Sequence, residues 1–272
     1  MKRSLMGSRE KKLFIKRFYP AGNYIWTVPA GCTEVDVFLV GAGGGCGFTN
    51  NWGAWGGGGG GYTKTYRGHG YVAPPTGTWE GTYNEGRDGN AIPVIPGQKI
   101  PIIVGAGVEG QNGGYSQFLN ENYRADGGRT GGGWNKAGSG SSGGSTTTDN
   151  NQPYNGGSDG GDGQGKSPGT GQGHTTRDFG ESTGKMNAGG GSSIYNLNYS
   201  SKIPKGGLSD YPEGTGEYYD VINIDNPWRS GFPGGGYGGG AGPSVDRHLS
   251  TGQKNTKGGD GTVLIRYWAY EE

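Results

Sequence analysis

Glycine decides what this chain can fold into, and it is not spread evenly. Of 66 glycines in 272 residues, three fall in residues 1–40 and twelve in residues 41–61. Further dense blocks cover residues 105–193 and 231–262, whereas residues 194–230 hold four. A helical glycine costs about 1 kcal/mol relative to alanine, so these blocks exclude a conventional helical enzyme. No strict Gly-X-Y register runs through them, which excludes collagen. Gly-rich, Leu/Ile/Val/Phe-poor chains normally read as low-complexity. Here aromatics make up 11% of residues and the net charge is only +1, which is unlike a disordered chain.

The segments between the glycine blocks read as strands. Leu13–Phe18 is a short apolar run, and Tyr24–Val28 is β-branched and aromatic up to Pro29-Ala30-Gly31. Glu34–Val40 begins by alternating and ends fully apolar, the pattern of a strand entering a buried sheet. Tyr62–Tyr66, Lys99–Val104, Tyr115–Leu119 and Thr262–Trp268 complete the set. Pro101 predicts an edge strand or a strand start for Lys99–Val104. No segment shows capped helical periodicity. The expected fold class is all-β, a β-sandwich-like scaffold of short strands with an inserted glycine-rich layer and negligible helix. The expected organisation is an N-terminal tail or attachment segment, 1–13, then a single domain, 14–272. Within it the glycine-rich insertion spans about 105–193 and a Tyr-rich segment about 194–230.

Two arrangements fit the glycine tracts. They can be flexible loops, or they can form polyproline-II rods with three residues per turn. Such rods have no internal hydrogen bonds, but without Cβ atoms they can lie side by side and bond laterally. Gly56–Gly61, Gly131–Gly133, Gly189–Gly191 and Gly234–Gly240 (broken only by Tyr237) are long enough for a turn or two.

Chemistry-bearing motifs are weak throughout. Val35–Gly45 imitates a dinucleotide-binding strand and turn, but Cys46 takes the place of the third glycine and no helix follows. Gly140-Ser141-Ser142-Gly143-Gly144 matches a nucleophile elbow in letters only, within a Gly/Ser run. Asp159 and Asp162 lack the repeat of a calcium β-roll. Cys32, Cys46, His69, His174 and His248 have no metal-ligand spacing. Whether Cys32 and Cys46 pair stays open, with two free thiols favoured. These readings predict no enzyme activity, no cofactor and no metal. Near-zero charge argues against nucleic acid, and no apolar stretch approaches the roughly 18 residues of a bilayer span. Residues 1–12 are basic but have no apolar core of a signal peptide.

The aromatics carry the binding expectation. Tyr and Trp among Gly, Ser and Asn is the composition of adaptable binding loops. The receptor-binding candidates are Trp52, Trp55, Trp134, Tyr199, Tyr211, Tyr218, Tyr219 and Trp228. The competing reading is that such rings cover the glycine layer as a substitute core.

Several blocks resemble a known family. They are Phe18-Tyr-Pro-Ala-Gly-Asn-Tyr-Ile-Trp through Gly43-Gly-Gly45, Pro96-Gly-Gln through Gly105-Ala-Gly107, Gly113-Gly-Tyr-Ser-Gln-Phe118 and Gly258-Gly-Asp-Gly-Thr-Val-Leu-Ile-Arg-Tyr-Trp268. The chain resembles the glycine-rich domain of bacteriophage tail, fibre and adhesin proteins, some of which stack polyglycine-II rods beneath variable distal loops. The resemblance covers most of residues 14–130 and 230–268. It implies a virion protein assembled in the host cytoplasm, a tail or head fibre or adhesin. The implied partners are other virion proteins or itself, as a homotrimer, and a host-surface glycan or protein, with no nucleic acid and no membrane insertion. The alternative is a purely structural capsid-decoration or filament subunit.

Overall fold

A computed structural model describes residues 10–45, 53–54, 58–59, 61, 63–66, 91–131, 179, 237–238, 245–246 and 257–271. These residues form an all-β fold of two main antiparallel sheets. The first sheet runs β1 (Lys11–Phe18), β11 (Thr262–Tyr270), β3 (Glu34–Val40), β5 (Thr63–Tyr66), with β6 (Ile92–Pro93) also on β3. The second runs β2 (Gly22–Thr27), β7 (Lys99–Val104), β8 (Ser116–Phe118), β9 (Arg124–Ala125). A separate two-residue ladder joins β4 (Gly53–Ala54) to β10 (Val245–Asp246).

Alternation along the strands builds the core, because successive side chains point to opposite faces. Val35, Val37 and Leu39 of β3 and Val263, Ile265 and Tyr267 of β11 meet Trp26, Ile100, Ile102 and Phe118 of the other sheet. The outer face of β3 is buried as well. Phe38, Val40 and Leu264 form a second cluster with Phe179. The fully apolar end of β3 is thus explained by burial on both sides.

One expectation is corrected. Pro101 sits in β7, an interior strand between β2 and β8. In an antiparallel strand a residue's N and C=O face the same neighbour. The Pro101 carbonyl accepts from Leu119 N, on the β8 side. There β8 ends at Phe118 and the chain turns through Leu119, φ 66°. The missing N–H therefore falls where the ladder stops, and an interior strand tolerates it.

The two flanks of the sandwich differ. On one, Tyr66 of β5 packs edge-on against Tyr123 at 5.1 Å and donates to Asn122 O, which closes the space between the sheets. On the other, the edge strands β1 and β2 stand either side of an opening.

Candidate functional site

At one end of the sandwich the strands run straight into glycine segments. Residues 41–45 continue β3, 105–108 continue β7 and 126–131 continue β9. Residues 58–61 lead towards β5, 111–115 into β8 and 258–261 into β11. Segment 41–45 shows the bonding rule. Ala42 N donates to Gly114 O, Gly43 N to Gly259 O, Gly44 N to Gly59 O and Gly45 N to Gln111 O. Successive residues reach three different neighbours and the fourth returns to the first. That is the threefold repeat of a polyproline-II-type rod. The Ala42 carbonyl accepts from Gly128 N and the Gly45 carbonyl from Gly131 N. All four N–H groups of residues 42–45 and the Ala42 and Gly45 carbonyls thereby find partners without strand pairing.

Close approach forces glycine here. A Cβ on Gly41 or Gly44 would come closer than 3.0 Å to the backbone of Asp126 or Arg129. On Gly58 and Gly61 it would meet Gly44 and Gly41 respectively. The order of those last two pairs makes segments 41–45 and 58–61 antiparallel. By the same reasoning three rods lead away from the sandwich and three return.

Side chains stitch the junction. Ser116 Oγ accepts from Gly105 N at 3.0 Å and donates to Val40 O at 2.6 Å, joining β8, β7 and β3 where strands become rods. Asp260 Oδ1 accepts from Gly107 N at 2.9 Å and pairs with Lys257 at 3.2 Å. Tyr237 lies beside the junction, with Arg17 over its ring at 4.2 Å and Tyr19 edge-on at 4.8 Å. The described residues therefore place the far end of the bundle at Gly45, Gly58, Gly110, Gly131 and Lys257. From there the chain leaves at residue 46, leaves again at residue 132, and returns at residues 57 and 256. The first and last strands meet at the opposite end, where Lys11 lies opposite Tyr270 and Lys12 pairs with Glu271 at 2.6 Å.

That opposite end holds a cleft of about 400 Å³ on the open flank. Its walls are Phe14, Trp26, Tyr267 and Tyr270, with Ile25, Lys16 and Glu271 among its other lining residues. Phe14 stacks on Tyr267 at 5.5 Å, and Trp26 packs on the same ring at 5.0 Å. The rings are thus fixed by one another. Its size falls within the range of binding clefts, and its lining is polar and apolar in about equal parts.

The ionisable groups nearby are engaged. Arg266 donates to Asp36 through Nε at 2.9 Å and again through Nη2, in a largely buried pair on the outer face of β3 and β11. Cys32 is a buried free thiol. No group of His, Cys, Asp and Glu among the described residues can hold a metal ion. No helix among them is long and apolar enough to cross a membrane.

The sequence profile of a glycine-rich domain matches residues 19–268. The chain belongs to that glycine-rich domain family. No curated protein matches it significantly. In this glycine-rich domain the eight sequence-derived candidates, Trp52, Trp55, Trp134, Tyr199, Tyr211, Tyr218, Tyr219 and Trp228, all lie outside the described residues, as does Cys46. The cleft aromatics were not among the sequence candidates. Phe14, Trp26 and Tyr267 sit at inward strand positions, where a ring reads as core. Their signal would have been that the first two belong to strands that both end up as edges.

Proposed function

We propose that this chain is a non-enzymatic virion structural protein of a bacteriophage, a tail or head fibre or adhesin that presents loops to a host-surface glycan or protein. The observation that carries this reading is the polarity of the molecule. The ends of the first and last strands meet at one end, the chain leaves at residues 46 and 132 from the other, and a laterally bonded rod bundle lies between. Dense hydrogen bonding without side chains makes a stiff spacer out of a composition that otherwise favours disorder. Segments 46–57, 132–178 and 239–256 carry three of the eight aromatic candidates, Trp52, Trp55 and Trp134. Segment 194–230 carries the other five.

The test is capture of host cells and of virions by the purified chain. Adhesion requires cell binding that is lost when 194–230 is deleted and that survives deletion of residues 1–9. Firm virion incorporation without any cell binding sinks adhesion in favour of a purely structural subunit. The exposed Leu13, Ile15 and Trp268 side chains favour that second reading, since apolar groups on an outer sheet face suit contact with another subunit.

A further inference from the structure

We propose that the open flank, made of the free edge of β1 and the cleft it shares with β2, docks an extended acidic strand of another polypeptide. Among the described strands β1 pairs only with β11, so its other edge presents backbone donors and acceptors to an added strand. Apolar surface lies on both faces of that edge. Leu13 and Ile15 are 50% and 40% exposed on the outer face, beside Trp268 at 44%. Phe14 points inward to the cleft, whose other wall carries Ile25 at 64% exposure. A strand laid along β1 alternates its side chains and covers both surfaces at once.

Charge selects the occupant. Within β1 the exposed Lys11 and Lys16 carry the charge that faces an added strand, since Lys12 pairs with Glu271 and Arg17 lies over the Tyr237 ring, and β1 holds no carboxylate. Of the carboxylates near this edge, Glu271 is paired with Lys12 and Asp36 with Arg266, while Glu10 precedes the strand. A second copy of β1 placed antiparallel over its full length would set Lys12 against Arg17 and offers no carboxylate to either lysine edge. Edge lysines discourage indiscriminate strand addition, and a Glu- or Asp-bearing strand turns that obstacle into cross-strand pairs. Among the described residues the opposite flank shows no such opening, since Tyr66 packs against Tyr123 there. The inference does not rest on host binding, because this flank lies away from the far end of the bundle.

The experiment uses the full chain with three short synthetic peptides. One alternates Glu and Val, one has Lys for Glu, and one has Pro for alternate Val so that it cannot extend a sheet. Amide hydrogen exchange is followed in 11–18 and, as a control, in 63–66. The proposal expects the Glu-Val peptide to protect 11–18 and leave 63–66 unchanged, with binding at least about tenfold tighter than for either control. The exposed variant Lys16→Glu, checked for native folding by circular dichroism, should weaken binding of the Glu-Val peptide and narrow its lead over the Lys peptide. Equal binding of Glu and Lys peptides, or protection elsewhere than 11–18, overturns it. Protection of 11–18 that rises with protein concentration in the absence of peptide overturns it in favour of self-association.

Discussion

Along β3 the chain is held by two different forces within a few residues. Val37 and Leu39 are buried because their side chains fill the space between two sheets. Gly41 and Gly44 sit in the bundle because they have no side chain, so that other backbones come within bonding distance. The sandwich tolerates small losses of volume and is hurt by cavities. The bundle has no side-chain volume to lose and is hurt by any addition. The comparison teaches that glycine content alone says little about order. What matters is whether each backbone group finds a lateral partner and whether the rods are anchored by something that has a core. Here the sandwich sets the strand order, and the rods inherit it.

The sharpest way to break this contrast is to add one methyl to the bundle. Gly44→Ala places a Cβ against the Arg129 carbonyl, on a residue whose N–H is already committed to Gly59 O. Backbone meets backbone, so no side chain can swing aside. We expect a loss of about 5 kcal/mol, read as loss of the cooperative urea transition or of soluble protein. Wild-type urea resistance in Gly44→Ala would disprove the packing of the rods. The matching change in the sandwich removes atoms. Phe118 is fully buried against Trp26, and Phe118→Ala should cost about 4 kcal/mol by leaving a cavity. Ser116 tests the joint. Ser116→Ala strands Gly105 N inside the protein and takes one donor from Val40 O, which stays in the β3–β11 ladder, for about 2 kcal/mol. Faster hydrogen exchange at Gly105, with exchange at Ile265 changed far less, is the result expected of a joint. Uniform acceleration would assign Ser116 to the general core instead.

Much of the scaffold was legible because it rests on local patterns. Glu34–Val40 shows its alternation and then its apolar run, and the structure buries it as that pattern requires. The absence of Cβ atoms in the tracts pointed to lateral packing. What no local pattern holds is which tract meets which. Gly43 bonds Gly259 across most of the chain, and that pairing follows from β3 lying beside β11. Pro101 misled because a proline forbids only one hydrogen bond, and whether a partner stood there depended on where β8 stopped. The cleft was hidden for the same reason. Phe14 and Trp26 occupy core-like positions, and the opening between them exists only because β1 and β2 are edges on the same flank.

The smallest effect lies at the end of the sandwich away from the bundle, and its sign separates side-chain burial from backbone packing. Cys32 is buried in the core cluster and its thiol donates to Glu34 O at 3.5 Å. Burial pushes its pKa above the ordinary 9.0, outweighing the opposing pull of that hydrogen bond and of the Lys11 charge. The folded value is the raised one, so the thiol contributes its full stability below the unfolded pKa. As pH rises past 9.0 the unfolded chain ionises first, and stability falls on the way to the folded value. Cys32→Ala removes that contribution while keeping a small apolar side chain. The difference in urea midpoint between wild type and Cys32→Ala should therefore be constant up to about pH 8 and shift against wild type above about pH 9. A difference that stays flat into alkali would mean the thiol reaches solvent, and that this end of the sandwich is packed more loosely than the bundle.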